Sequence, residues 1–383
     1  MSGESHDTLI VGGGPAGSAL AAELAGAGRD VVLVERERGP HHKVCGEFLS
    51  APALAMLARL GVDVAALGAV PVHRIGVSRG RWRMERPLPF RAMSLSRRAL
   101  DEALLGRAEA AGARVLRGTP VRELTLVDGC WRARLSERSI LARRAVLATG
   151  KHELRGHARP PGRQDDLIGF KMHYRLAAAA QGQLDGRVEI ALFPGGYAGL
   201  EPIEDGRANL CLVLTRDAFL QAGGNWDATF GLVRASSSVF GSSLDGAEPL
   251  FDRPLAISRI PYGLVRRSTE GLWLVGDQAA VIPSLAGEGM SFALHGARAA
   301  ARCMLADGAA AEFQASLAAD VSRQIGLATA ISRLVVRPWA QRLAPLFAPA
   351  LVTQIAGATR LRLGRPQTGP RNIRYAAFPD SSS

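Results

Sequence analysis

Residues 8–11 form a short apolar, β-branched run, residues 12–17 are glycine-rich, and residues 18–27 are dominated by alanine and leucine. A brief unbroken apolar run closed by turn residues predicts a buried strand, and the Ala/Leu stretch after it predicts a helix. Residues 30–35, Asp-Val-Val-Leu-Val-Glu, predict a second buried strand. Together these make a βαβ unit of about 30 residues, the minimum for a parallel sheet. Helical patterns follow at residues 51–60 and 97–112, the second opened by Ser96 as N-cap and followed by Gly112. Residues 74–91 predict short strands around a proline-containing turn, residues 115–116, 121–127 and 131–135 alternate as strands do, and 145–148 is a buried strand closing on Thr149-Gly150.

Residues 155–165, rich in Gly, Pro, Arg and Asp, predict a linker. From 168 to 260 strand and turn patterns dominate, clearest at 188–193, 197–202 and 208–214. Another short apolar run at 272–275 ends in Gly276-Asp277, and the C-terminal third reads as helical with an arginine- and proline-containing tail. No internal repeat is visible.

Composition narrows the function classes. With 383 residues the chain is long enough for about two domains, and 47% apolar with 21% charged residues is an ordinary soluble globular balance. The formal charge is +12, yet no run of consecutive basic residues reaches four. Zinc-finger, basic-helix and aromatic RNA-binding signatures are missing, so no nucleic-acid partner is expected. Diffuse positive charge that includes a site for phosphates is the simpler account. The four cysteines, Cys45, Cys130, Cys211 and Cys303, form no CxxC pair, which argues against zinc and against a disulfide framework. His41, His42, His152, His173 and His295 show no metal spacing, so no metal is expected. The polar start Met-Ser-Gly-Glu-Ser-His-Asp lacks a signal-peptide pattern, and no apolar stretch reaches the ~18 residues of a membrane span. A cytoplasmic protein is the expectation.

Gly12-Gly13-Gly14-Pro15-Ala16-Gly17 fits GxGxxG at Gly12, Gly14 and Gly17. Gly12 allows a tight turn, Gly14 lets the backbone approach a pyrophosphate, and Gly17 lets helix and strand pack closely. The helix N-terminus behind the loop presents free N–H groups and partial positive charge to phosphate. Glu35 ends the second strand, where its carboxylate can accept from a ribose and would repel a 2′-phosphate, so NADP in this loop is not expected. Arg36 follows it.

Two more motifs keep this order. Arg-Ala-Val-Leu-Ala-Thr-Gly spans residues 144–150, and Leu-Trp-Leu-Val-Gly-Asp spans 272–277. With the glycine loop they resemble the FAD-binding superfamily that contains p-hydroxybenzoate-hydroxylase-like monooxygenases and geranylgeranyl reductases, over roughly residues 5–305. The resemblance implies an α/β fold: a Rossmann-like (GR2-type) FAD-binding domain, an inserted, mostly antiparallel β-sheet substrate domain and a helical C-terminal region. The FAD-binding domain is expected at 5–73, 95–165 and 262–305, the substrate domain at 74–94 and 166–261, and the C-terminal region and tail at 306–383. By the same resemblance Thr149 and Gly150 lie at the cofactor, and Asp277 holds the ribityl chain of FAD, its alternative being a helix cap. Pro283, Gly287, Gly289 and Met290 form the segment beside the flavin ring. Lys43 and Cys45 lie near FAD, with a small buried hydrophobe as the other reading of Cys45. Arg97 reaches FAD phosphate or is an exposed helix arginine, and Val121 faces the adenine through its backbone.

The segment 148–155 departs from the hydroxylases, with Thr149 where they carry Asp, and no second GxGxxG follows a strand. The electron source is therefore open: transient surface binding of NAD(P)H, or a partner reductase or ferredoxin. The tryptophan-rich motif of flavin halogenases is missing. Phe-Pro-Gly-Gly-Tyr-Ala-Gly at 193–199 looks like the substrate-channel segment of geranylgeranyl reductases, with Gly199 in place of an aromatic. Tyr197 and Cys45 are the candidate catalytic residues, with a core tyrosine as the other reading of Tyr197. Residues 334–363 mix apolar side chains with Arg337, Arg342, Arg360 and Arg362. They read as a helical cap or as a peripheral membrane contact that admits a lipid-like substrate. The expected function is monooxygenation of an aromatic or polyketide-like hydrophobic small molecule. The alternatives are reduction of isoprenoid double bonds and a non-catalytic, electron-relay flavoprotein.

Overall fold

The computed structural model describes residues 5–346 and 349–361. The tail from 362, Arg362 included, and Met1 to Glu4 lie outside the described residues. A seven-stranded sheet forms the nucleotide-type layer. Its centre is the strand Ser5–Val11, flanked in parallel by Val31–Val34 on one side and Ser139–Leu147 on the other. Trp273–Leu274 pairs in parallel with the end of Ser139–Leu147, while Cys130–Arg134 and Glu123–Val127 continue its other end as an antiparallel meander. The first two parallel strands read as unbroken apolar runs because helices cover both faces of such a sheet. The helix after the glycine loop runs Pro15–Gly26, earlier than its alanine content suggests. Pro15 sits at the first helical turn, where its fixed φ suits the helix and its missing N–H costs nothing.

The second layer is a nine-stranded, mostly antiparallel sheet. It contains Val70–Arg79, Trp82–Ser94, Leu167–Arg175, Arg187–Phe193, Gly196–Ile203 and Arg207–Thr215, with Phe48–Ser50 at one edge. Residues 74–91, expected as short strands around a proline turn, are instead parts of two long strands, and Pro87 and Pro89 lie inside the second. Pairing shifts register between Val72 and Arg74, so the prolines sit at a bulge, where a lost backbone donor is tolerated.

Strand and turn do dominate 168–260, but four short helices interrupt them: Ala178–Leu184, Arg216–Gln221, Trp226–Ala235 and Ser238–Ser243. Thr215, Asn225 and Ser237 cap the last three through side-chain oxygens. These helices cover one face of the sheet, burying Phe170, Met172, Tyr174, Leu200 and Phe240 beneath them. The opposite face looks across a cavity at the first layer. Two long helices, Gly289–Leu305 and Ala310–Val335, lead to the shorter Pro338–Arg342 and Pro349–Ala358. Gln341 pins this end to the sheet, its Nε2 donating to the Phe193 and Gly196 carbonyls at 2.7 and 3.0 Å. No helix among the described residues is long and apolar enough to cross a membrane.

Candidate active site

The parallel strands of the first sheet end on one side, and Gly12, Glu35, Ala148 and Gly276 follow those ends within two residues. Open α/β sheets bind ligands at that edge, where neighbouring strands send their connections to opposite faces. A cavity of about 1250 Å³ begins there. Ordinary small-ligand clefts hold about 300–1,000 Å³, so there is room for an extended cofactor and a second molecule.

Most of the residues singled out by sequence line this cavity: Gly12, Gly14, Pro15, Ala16, Glu35, Arg36, Lys43, Cys45, Arg97 and Val121 on one stretch, then Thr149, Gly150, Tyr197, Asp277, Gly287, Gly289 and Met290. Gly17 and Pro283 do not line it. A β-carbon on Gly17 would collide with the Gly12 carbonyl oxygen, so Gly17 sets the approach of helix to loop. Pro283 is buried between Ile282 and Ser284, which do line the cavity.

The loop geometry suits a dinucleotide. Gly12 has φ +110°, and a β-carbon there would lie 2.5 Å from the Ala148 carbonyl oxygen. At Gly14 a β-carbon would meet only Arg97 Nη2 at 3.6 Å and Lys43 Nζ at 4.0 Å. The bare backbone of Gly14, the N-terminus of Pro15–Gly26 and two cations thus surround one space of the kind that takes a pyrophosphate. Arg97 and Lys43 share Asp101, with Arg97 Nε at 2.7 Å and Lys43 Nζ at 3.0 Å from its oxygens. Burial alone would push the Asp101 carboxyl up, but the two cations outweigh it and hold it below the ordinary value. Glu35 holds the loop from the other side, accepting from Gly13 N–H at 2.7 Å and Glu37 N–H at 3.0 Å. Each carboxylate oxygen keeps a lone pair for a ribose hydroxyl. Gln278 Nε2 donates to the Gly150 and His152 carbonyls, locking the Gly-Asp segment onto the Ala-Thr-Gly segment.

Tyr197 sits differently from the sequence expectation of a free polar group facing substrate. Its ring lines the cavity, but its hydroxyl is 2.7 Å from Ser284 Oγ and accepts from Leu285 N–H at 3.0 Å. Tyr262 donates to the same Ser284 Oγ at 2.8 Å. Burial pushes the Tyr197 phenol well up, so it stays protonated and ties the substrate sheet to the 283–290 segment. Cys45 Sγ accepts from Glu47 N–H at 3.3 Å and borders the cavity, half-buried rather than fully buried.

Sequence reasoning missed a buried charged cluster. Glu47, Lys171 and His173 are each 0% exposed. Glu47 Oε1 accepts from the Lys171 ammonium and from Arg97 N–H at 2.7 Å, while Oε2 is 2.8 Å from His173 Nε2. Burial pushes the Glu47 carboxyl up, but Lys171 and His173 outweigh it and hold it down at about 2. Glu47 has φ +61°, a left-handed backbone that these contacts hold in place. His42 packs edge-on to His173 at 4.8 Å, and burial followed by the charge of neighbouring cations lowers it to about 4. Ligand-type atoms of His42, Glu47 and His173 lie within 4.8 Å of one another. Lys171 already supplies the cation that neutralises Glu47, while His42 Nδ1 and His173 Nδ1 are buried without a hydrogen-bond partner.

The signal for this cluster was strand parity. In Leu167–Arg175 the residues Lys171 and His173 alternate with Phe170, Met172 and Tyr174. In Gly196–Ile203, Tyr197, Gly199 and Glu201 share one face. Pairing aligns His173 with Asn209 and Asn209 with Glu201, and Lys171 with Cys211 and Cys211 with Gly199.

Comparison with known proteins agrees with this geometry. Residues 5–144 match the FAD binding domain family model. The chain is 28% identical over 333 residues to a menaquinone reductase of Mycolicibacterium smegmatis, covering 79% of this chain and 77% of that one. It is 29% identical over 312 residues to digeranylgeranylglycerophospholipid reductase 2 of Methanopyrus kandleri, covering 75% and 74%. In fold it is similar to the myxobacterial chondrochloren halogenase, with a TM-score of 0.74 at 20% identity, covering 94% of this chain and 91% of that one.

Proposed function

We propose that the chain, an FAD-dependent oxidoreductase, reduces carbon–carbon double bonds in the isoprenoid part of a lipid-like substrate. The observation that carries this reading is the largely apolar lining of the cavity. Val77, Met84, Leu88 and Ile190 of the sheet and Leu334 and Trp339 of the C-terminal helices belong to it. A large, mostly apolar cavity fits a flexible hydrocarbon chain. The two relatives above are named as reductases, of a menaquinone and of a geranylgeranyl lipid.

In this reading Gly12, Gly14 and the N-terminus at Pro15 hold the FAD pyrophosphate with Arg97 and Lys43. Glu35 takes the adenosine ribose, Asp277 the ribityl hydroxyls, and Gly287 to Met290 face the ring. Bound FAD would supply the hydride; the protein orients the alkene, excludes water and provides the proton. NAD(P)H in transit, or an electron-donor protein, reduces the flavin.

Monooxygenation of a ring-shaped substrate is the second reading, and Gly199 supports it by widening the cavity beside Tyr197. An electron relay without substrate has no use for the apolar cavity. Mixing light-reduced holoprotein with a polyprenyl lipid under strict anaerobiosis tests the choice. Reoxidation of the flavin with saturation of the lipid is expected; turnover only after oxygen is admitted would overturn the reductase reading in favour of the monooxygenase.

The mouth of the cavity supports a membrane-resident substrate. Leu327, Leu334, Trp339, Leu343 and Leu346 are exposed large apolar side chains, and Leu334, Trp339 and Leu343 also border the cavity. Exposed Arg333, Arg337 and Arg342 stand among them without a carboxylate partner among the described residues. Apolar side chains within a cationic rim suit an anionic bilayer surface. Co-sedimentation with phosphatidylglycerol vesicles at low salt is expected, weakened about tenfold or more by Trp339→Ala with Leu343→Ala. Equal sedimentation of the variant would place the contact elsewhere.

A further inference from the structure

We propose that Glu201 is the proton donor of this site, a neutral carboxylic acid held in the cavity wall to protonate the substrate. The inference rests on the reductase reading and adds a residue to it. Three observations carry it. Glu201 lines the cavity on the same strand face as Tyr197 and Gly199, one to either side of the position where the wall is open. It is 4% exposed and has no cationic partner of its own among the described residues, because Lys171 is committed to Glu47. Its Oε2 accepts from Ser94 Oγ at 2.7 Å, which leaves Oε1 to carry a proton.

The surroundings favour the neutral form. Burial pushes the Glu201 carboxyl up to about 8; the Ser94 and Asn209 hydrogen bonds oppose that and the Glu47 charge adds to it. The other ionisable groups around it are Lys171 and His173 on Leu167–Arg175, Cys211 on Arg207–Thr215, and Cys45 and Lys151 on the adjoining loops. Lys171 works against the neutral form. A catalytic acid that titrates near the working pH holds its proton and can still release it.

Reduced FAD, when bound, would supply a hydride to one alkene carbon and give up two electrons. The other carbon takes the proton from Glu201: a C–H bond forms and the O–H bond breaks. Glu201 is left as a carboxylate and regains its proton from water once product departs.

Infrared titration of the apoprotein and anaerobic flavin reoxidation together test this. The wild type is expected to show a carboxylic-acid C=O band that titrates near pH 8 and is missing in Glu201→Gln. In the holoprotein, Glu201→Gln should slow reoxidation of light-reduced flavin by a polyprenyl lipid about 100-fold or more, with FAD retention unchanged. Ser94→Ala should move the band and the basic limb of the rate profile to higher pH together. A wild type with no such band, or a glutamine variant reoxidised at the wild-type rate, would overturn the assignment of Glu201 alone. A band present in a wild type that saturates no polyprenyl lipid would overturn the reductase reading and, with it, the destination of the proton.

Discussion

Replacing Lys171 with methionine is expected to destabilise the protein by about 3–5 kcal/mol, because it strands a buried carboxylate. Glu47 is fully buried, and its two oxygens face Lys171, His173 and the Arg97 amide. Methionine preserves the length of the side chain but not its charge. Three outcomes then follow. Urea denaturation should show a lower midpoint with an unchanged slope. The double variant Lys171→Met with Glu47→Gln should recover much of the loss, since the isolated charge is gone. The penalty should also depend on pH. Glu47 is depressed from 4.5 to about 2 in the folded protein. Its pairing therefore contributes fully above pH 4.5, and the contribution fades as pH falls from there toward 2. The stability gap between wild type and Lys171→Met should narrow over that window. A gap that is constant with pH would mean that Glu47 is not the partner that matters.

The second large effect is expected at the glycine loop, where two substitutions should separate folding from cofactor binding. Gly17→Ala drives a β-carbon into the Gly12 carbonyl oxygen, a backbone atom that cannot swing away as a side chain would. Helix and loop must part, at a cost of about 1–3 kcal/mol or more, and both apoprotein stability and flavin retention should suffer. Gly14→Ala meets nothing closer than 3.6 Å, so the apoprotein should melt as the wild type does. That added methyl group points toward Arg97 and Lys43, into the space assigned to the pyrophosphate. FAD affinity should fall about 100-fold, equivalent to about 2.8 kcal/mol. Flavin absorbance per mole of protein, read beside the apoprotein melting curve, checks both. Unchanged FAD affinity in Gly14→Ala would move the pyrophosphate away from this turn.

How much of this was readable beforehand follows from the range over which each constraint acts. The glycine loop, the Ala-Thr-Gly end and the Gly-Asp segment are local, since each is dictated by backbone conformation or strand burial within a few residues. They were legible, and the structure brings them to one sheet edge. The helices near 178–184 and 216–243 were less so, because their side chains pack under the sheet as a strand's would; single capping residues announce the later three, and nothing caps the first. Glu47, Lys171 and His173 were not legible as a unit, since the bonds to Glu47 span 124 and 126 positions. Alternation along Leu167–Arg175 marks Lys171 and His173 as one face, and the usual inference is that such a face is wet. A second layer of protein covers it here. Glu201 escaped for the same reason. Tyr197 lines the cavity, but its hydroxyl is taken by Ser284 and Leu285, a contact that no spacing in the sequence announces.

The pairing of Trp273–Leu274 with the end of Ser139–Leu147 has a consequence for how the molecule is made. About 125 residues, most of the second layer among them, are synthesised between these two strands. A nascent chain that has just completed the glycine loop and its parallel neighbours still has a bare strand edge where the last wall of the nucleotide crevice will stand. Capture of the yellow cofactor must therefore come late in biogenesis, after the intervening sheet has folded, and a ribosome stalled before residue 272 should display a colourless chain.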